Sequence, residues 1–148
     1  MINIEYIAGI DEVGEIANAM LKELSPYRIW LLRGEMGSGK TTLVRSIAGL
    51  LGEAKEASSP TYTLVNEYHF ITNKHGIRKL YHLDLFRIRN VEEALEIGIE
   101  EILEDDSKCI IEWPEIILPL LQDESVINIF IENTKEGKRK YRLTNDNQ

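Results

Sequence analysis

A chain of 148 residues is long enough to bury one sizeable hydrophobic core, and it predicts a single domain over residues 1–148. Its formal net charge of −8 argues against stand-alone binding to nucleic acid, because phosphate contacts dominate that affinity. The single cysteine, Cys109, excludes an intramolecular disulfide. The sequence shows no signal peptide and no apolar run of membrane-spanning length, so we expect a cytoplasmic protein that does not enter a membrane.

The first part of the chain predicts a strand, a helix, a second strand, a loop and a second helix. Residues 2–6 alternate apolar and polar side chains, as a strand does. Asp11 is a suitable N-cap for the amphipathic helix that follows and stops near Ser25. The apolar segment 28–33 predicts a buried strand, and apolar residues recur at helical spacing over 41–51.

The loop between that strand and that helix carries the most specific motif. Gly34–Thr41 fits G-x-x-x-x-G-K-[ST], the phosphate-binding P-loop. Its glycines allow the backbone N–H groups to surround an anion, and the helix that follows presents its positive dipole end. Lys40 would contact the β- and γ-phosphates, and Thr41 would ligate Mg²⁺. The predicted nucleotide-binding residues of this loop are Glu35, Met36, Gly37, Ser38, Gly39, Lys40, Thr41 and Thr42.

The second part of the chain alternates strands with short helices. A β-hairpin is predicted over 63–85, with its turn near Gly76, and two short helices flank Gly98. A strand over 108–111 precedes a short helix from Pro114 through Leu118, and final strands cover 126–131 and 139–143. This order predicts an α/β fold: a single P-loop NTPase domain with a mainly parallel central sheet, antiparallel hairpin additions and flanking helices.

A P-loop nucleotidase also needs a carboxylate on the Mg²⁺ side and a group that positions water. Glu112 ends the apolar strand and could hold Mg²⁺ or position water; the alternative is an ordinary glutamate at a strand end. Strand alternation places His82, Asp84 and Phe86 on one face, where polar groups need partners if they are buried. Thr61 follows Ser59 and Pro60 in a loop that could sense the γ-phosphate.

Basic residues are concentrated near the carboxyl end, against the acidic balance of the chain. Two interpretations are open: a solvated hairpin, or a docking patch for an acidic partner or RNA. The residues concerned are Lys135, Lys138, Arg139, Lys140 and Arg142.

Four features in this order resemble the TsaE family, also called YjeE, over about residues 4–143. The matching segments are Gly34–Thr42, Ser59–Thr63, His82–Arg87 and Glu112–Glu115. The resemblance implies a compact α/β P-loop fold that binds ATP or ADP with Mg²⁺ and hydrolyses ATP weakly alone. It also implies association with the proteins TsaB and TsaD in threonylcarbamoyl modification of adenosine 37 of tRNA.

By this resemblance, Thr61 is a switch-like threonine, Asp84 and Glu112 are essential carboxylates, and Trp113 lies near the nucleotide. We therefore expect catalytic roles for Lys40, Thr61, Asp84 and Glu112, and metal ligation by Thr41 and Glu112. Phe86 departs from the family, which often has tyrosine there. The residues leave open which carboxylate contacts Mg²⁺, which face docks on TsaB–TsaD, and whether the chain touches tRNA.

Two other classes fit less well. A regulatory GTPase needs an Asn-Lys-x-Asp motif after the P-loop, but the nearest string, residues 73–76, lacks the aspartate. A small-molecule kinase usually carries an arginine-rich lid, and Arg87 and Arg89 do not lie in a lid-like insertion. Because each apolar helix has a place in the predicted core, we expect a monomer when the protein is alone.

Overall fold

One eight-stranded sheet, with helices on its faces, forms the frame of the molecule. The computed structural model describes residues 2–52, 54–56 (backbone only), 64–71 and 74–145. The strands are β1 (Asn3–Ala8), β2 (Ile29–Arg33), β3 (Ala54–Glu56), β4 (Val65–Phe70), β5 (Lys79–Asp84), β6 (Lys108–Glu112), β7 (Val126–Asn133) and β8 (Arg139–Thr144). The α-helices are α1 (Val13–Glu23), α2 (Lys40–Leu51), α3 (Val91–Glu96) and α4 (Ile99–Glu104).

The strand order across the sheet is β1-β8-β7-β2-β6-β5-β4-β3. The four central strands β7, β2, β6 and β5 are parallel, and the pairs outside them are antiparallel. The predicted α/β class, with a parallel centre and antiparallel hairpin additions, is confirmed. Parallel strands need both faces covered, which explains why the middle residues of β2 and β6 are apolar and buried.

A hydrophobic core lies on each face of the sheet. On one face, α1 and α2 pack on side chains such as Trp30, Leu32 and Tyr141. On the other face, α3 and α4 cover Leu31 and Ile111. Because side chains alternate along each strand, successive residues lie in different cores. The same alternation decides which polar side chains lie on the face that α2 covers.

Several local predictions are confirmed and four need correction. Asp11 is not the N-cap of α1: it lies inside a 3-10 turn over Ile10–Glu12, and Glu12 directly precedes the first residue of α1. The β4–β5 hairpin and the helices on either side of Gly98 are present. The segment after Pro114 is a 3-10 helix over Glu115–Leu121, longer than predicted; Pro119 inside it has no N–H to donate to an α-helical bond. Strand β3 was not predicted, and Phe86 lies beyond the end of β5. Among the described residues, no helix is long and apolar enough to cross a bilayer.

Candidate functional site

The carboxyl ends of three adjacent parallel strands place the predicted site residues together. β2 runs directly into the P-loop, and β6 and β5 end at Glu112 and Asp84 beside it. Leu32 pairs with Glu112, which in turn pairs with Asp84 across the next strand. This edge of an open parallel sheet is where α/β proteins bind ligands, because loops and helix N-termini converge there.

The P-loop backbone has the conformation that its glycines permit. Gly37 has φ +83° and Gly39 has φ +104°, both in the left-handed region. The helix α2 begins at the next residue, Lys40, so its unpaired N–H groups and positive dipole end point toward the loop. The segment therefore has the geometry of an anion-binding site.

Lys40 is held at the site by protein groups. Its ammonium donates a hydrogen bond to the Gly34 carbonyl and lies 3.8 Å from the centre of the Trp113 ring. Burial lowers the pKa of Lys40, and the carboxylates of Glu112 and Asp84 act in the opposite direction. The Lys40 ammonium is thus held by protein groups that phosphate oxygens could replace.

Trp113 adopts a backbone conformation that is unusual for a residue with a side chain. Its φ is +55°, which costs about 1 kcal/mol or more for a residue other than glycine. Its ring lies 5.0 Å from that of Phe86, with 53° between the planes, and covers Lys40. The strained turn between β6 and Pro114 therefore positions the indole over the P-loop lysine. Phe86 supplies an aromatic contact here.

Glu112 and Asp84 lie side by side but in different surroundings. Glu112 is 3% exposed, and its Oε2 lies 2.5 Å from Nε2 of His82, which is itself buried. Asp84 is partly exposed, and its Oδ1 accepts a hydrogen bond of 3.1 Å from the backbone N–H of Phe86. The polar residues predicted on this strand thus have partners, as burial requires.

A cavity of about 440 Å³ joins most of the predicted residues. The described residues that line it are Met36, Gly37, Gly39, Lys40, Thr41, Thr42, Asp84, Phe86, Glu112, Trp113 and Arg139. Glu35 and Ser38 line a neighbouring cavity of about 460 Å³ with Met36. Thr61 lies outside the described residues.

Two parts of this site were not predicted. The pairing of His82 with Glu112 joins residues 30 positions apart, and Arg139 enters from the basic carboxyl-terminal hairpin. Within that hairpin, Lys140 lies within 4.0 Å of Glu5 and Glu132, and Arg139 faces the P-loop. The sequence pattern around His82 gave a signal for a polar pair, but it did not indicate the partner.

The donor groups suit a nucleotide with Mg²⁺. Thr41 provides an exposed hydroxyl at the start of α2, and Glu112 and Asp84 provide oxygen ligands of the kind that Mg²⁺ prefers. No group of three or more His, Cys, Asp or Glu side chains in the described part of the chain could hold a metal alone.

Comparison with known proteins identifies the family. A family model described as "Threonylcarbamoyl adenosine biosynthesis protein TsaE" matches residues 7–141. Several relatives carry the name tRNA threonylcarbamoyladenosine biosynthesis protein TsaE, among them the following two. The protein from Rickettsia bellii is 35% identical over 140 residues, covering 92% of this chain and 90% of its own. The one from Borreliella burgdorferi is 38% identical over 112 residues, covering 75% and 77%.

The fold is also shared with a solved structure. The crystal structure of Bacillus subtilis YdiB superposes with a TM-score of 0.70 and 23% sequence identity, covering 96% of this chain and 84% of that one. The family match covers most of the chain, including the P-loop, the His82–Arg87 segment and Glu112–Glu115. The chain belongs to the TsaE family of threonylcarbamoyl adenosine biosynthesis proteins.

Proposed function

We propose that this protein is an ATPase that serves as an accessory to TsaB and TsaD in threonylcarbamoyl modification of tRNA. The observation that carries the proposal is the convergence of Lys40, Asp84 and Glu112 on one cavity beside the P-loop. A lysine with backbone N–H groups binds phosphate, and adjacent carboxylates serve metal binding and water positioning. Membership of the family supports the biological process, and the arrangement of the site residues supports the proposed reaction.

Nucleotide binding rests on the loop and on Lys40. The N–H groups of the P-loop and of the first turn of α2 would donate to phosphate oxygens, and Lys40 would exchange the Gly34 carbonyl for them. Thr41, with Glu112 or Asp84, would hold Mg²⁺, which when bound neutralises charge on the phosphates. Trp113, already over Lys40, would then border the bound phosphate chain.

Hydrolysis requires a water aligned with the terminal phosphate. Glu112 is the best placed carboxylate to orient that water, because the His82 contact at 2.5 Å fixes its side chain. Water would add to the γ-phosphorus as the bond to the β–γ bridging oxygen breaks, giving ADP and inorganic phosphate. Asp84, which is more exposed, remains available for the metal side of the site.

Membership of the TsaE family supports the partner assignment. His82 contacts Glu112, and the Trp113 ring covers Lys40. An accessory ATPase would change these contacts when TsaB and TsaD bind, which would couple hydrolysis to the state of the modifying machinery. We expect a cytoplasmic location, where its tRNA substrate complex would form.

Thermal stabilisation by nucleotides tests the binding part of this function. A ligand present at about 100 times its Kd stabilises the folded state by about 2.7 kcal/mol, so Mg-ATP should raise the melting temperature. Lys40→Ala should melt like the wild type without nucleotide and should lose most of the shift. A shift with Mg-GTP but none with Mg-ATP would overturn the ATPase assignment.

A further inference from the structure

The carboxyl-terminal strand sends one cation to the P-loop. Arg139 is the first residue of β8, an antiparallel strand that starts at the sheet edge where the parallel strands end. Its guanidinium lies over Gly39: a Cβ atom at Gly39 would be 2.6 Å from Cζ and 2.9 Å from Nε of Arg139. Only a glycine therefore admits the arginine to this position.

Protein groups do not satisfy this guanidinium. Among the described residues, its Nε and Nη1 atoms are buried without a hydrogen-bond partner, and no carboxylate lies within salt-bridge distance. The charge of Arg139 acts to lower the pKa of the Tyr141 hydroxyl, but burial is the larger effect and raises that pKa overall. The hydroxyl does not form a hydrogen bond with the guanidinium. A buried donor that has no partner is rare in native structures, because it forfeits the hydrogen bonds it made to water.

The surroundings indicate which partner is missing. Arg139 and Lys40 line the same cavity, together with the exposed hydroxyls of Thr41 and Thr42. Two cations and the N-terminal end of α2 converge there beside the carboxylates of Asp84 and Glu112, and this combination favours a highly charged anion that arrives with a divalent cation. The planar guanidinium can donate two parallel hydrogen bonds to a phosphate, which an ammonium cannot.

We propose that Arg139 is a phosphate-binding residue of the nucleotide site, supplied in cis by the carboxyl-terminal hairpin. It would donate from Nε and Nη1 to oxygens of the ATP or ADP phosphate chain beside Gly39. This inference rests on the proposed nucleotide-binding function and adds a residue to it. It also gives β8 a functional role beyond sheet formation.

Titration calorimetry with Mg-ADP and Mg-ATP tests this role. Arg139→Met removes the charge and keeps much of the bulk, and Lys138→Ala removes a charge from the same hairpin at an exposed position. We expect the Kd of Arg139→Met for Mg-ADP to rise about tenfold or more, since charge-assisted hydrogen bonds are the strong ones. Lys138→Ala should stay within about twofold of the wild type, as expected for a solvated side chain.

A phosphate contact differs from a purely structural role in its dependence on ligand charge. The ratio of Kd values between Arg139→Met and wild type should be larger for Mg-ADP than for AMP, whereas a distorted fold would weaken both alike. If Arg139→Met fails to fold, Arg139→Lys takes its place; it keeps the charge without the planar fork, and its Kd for Mg-ADP should still be higher than that of the wild type.

The outcomes separate this inference from the proposed function. If the wild type binds nucleotide and the folded Arg139 variants have an unchanged or lower Kd, only the role of Arg139 is overturned. Absence of nucleotide binding by the wild type would overturn the proposed function itself.

Discussion

The Nε2 atom of His82 lies 2.5 Å from Oε2 of Glu112, and both side chains are buried between the neighbouring strands β5 and β6. The contact fixes the orientation of the carboxylate that we assign to water positioning. His82 should therefore influence hydrolysis only through Glu112.

Replacing Glu112 should separate hydrolysis from binding. Glu112→Gln keeps the size of the side chain but cannot accept a proton or orient water as a carboxylate does. We expect phosphate release to fall by about 100-fold or more. The Kd for ADP, measured by calorimetry, should change far less, because the P-loop and Lys40 carry the binding. Unchanged phosphate release would remove Glu112 from the mechanism.

His82→Ala should lower phosphate release by about tenfold, the usual scale for loss of a residue that orients a functional group. It should also lower the free energy of unfolding by about 3 kcal/mol, because one member of a buried polar pair is left behind. The double variant with Glu112→Gln provides the control. If His82 acts through Glu112, adding His82→Ala to Glu112→Gln should cause little further loss of phosphate release. Additive losses would show a separate role for His82.

Tryptophan emission should report the movement of Lys40. The Lys40 ammonium lies 3.8 Å from the Trp113 ring centre and should leave it when phosphates bind, so nucleotide should change the emission of Trp113. The protein has two tryptophans, and Trp30 is 1% exposed in the core, away from the cavity residues. Trp30→Phe should retain the nucleotide-dependent change and Trp113→Phe should lose it. The reverse pattern would contradict the position of Trp113 beside the bound phosphates.

Because of Lys108, the free energy of unfolding should rise with pH in the alkaline range. Its ammonium is buried beneath the Trp30 ring and donates a hydrogen bond to the Tyr27 carbonyl; burial lowers its pKa from 10.5 to about 8. Between pH 8 and 10.5 the unfolded chain therefore binds more protons at this site than the folded protein, so stability rises with pH.

Comparison with Lys108→Met isolates this contribution. From pH 7 to pH 10, the wild type should gain up to about 3 kcal/mol in free energy of unfolding relative to the variant. Denaturant unfolding at several pH values measures the difference. A difference between the two proteins that does not change with pH would show that Lys108 titrates normally.

The extent of prediction from sequence differs between the local and the distant parts of the site. The P-loop and the strand-end position of Glu112 follow from short segments whose residue types fix their own backbone. The contacts of His82 and Arg139 depend on the strand order, which places β6 beside β5 and β8 beside β7. Local patterns do not encode that order, so the basic hairpin could be predicted from its sequence, but its position beside the P-loop could not. The left-handed backbone conformation of Trp113 likewise could not be predicted, because no residue type in that segment requires it.

Phosphate release from ATP by the purified protein, with and without TsaB and TsaD, tests the central claim most directly. Lys40→Ala serves as the blank, since it removes the P-loop cation, and no small-molecule acceptor is added. We predict slow release by the wild type alone, a clear increase with the TsaB–TsaD pair, and none above background with Lys40→Ala. Release by Lys40→Ala equal to the wild type, or release that requires an added acceptor, would contradict an ATPase at this site.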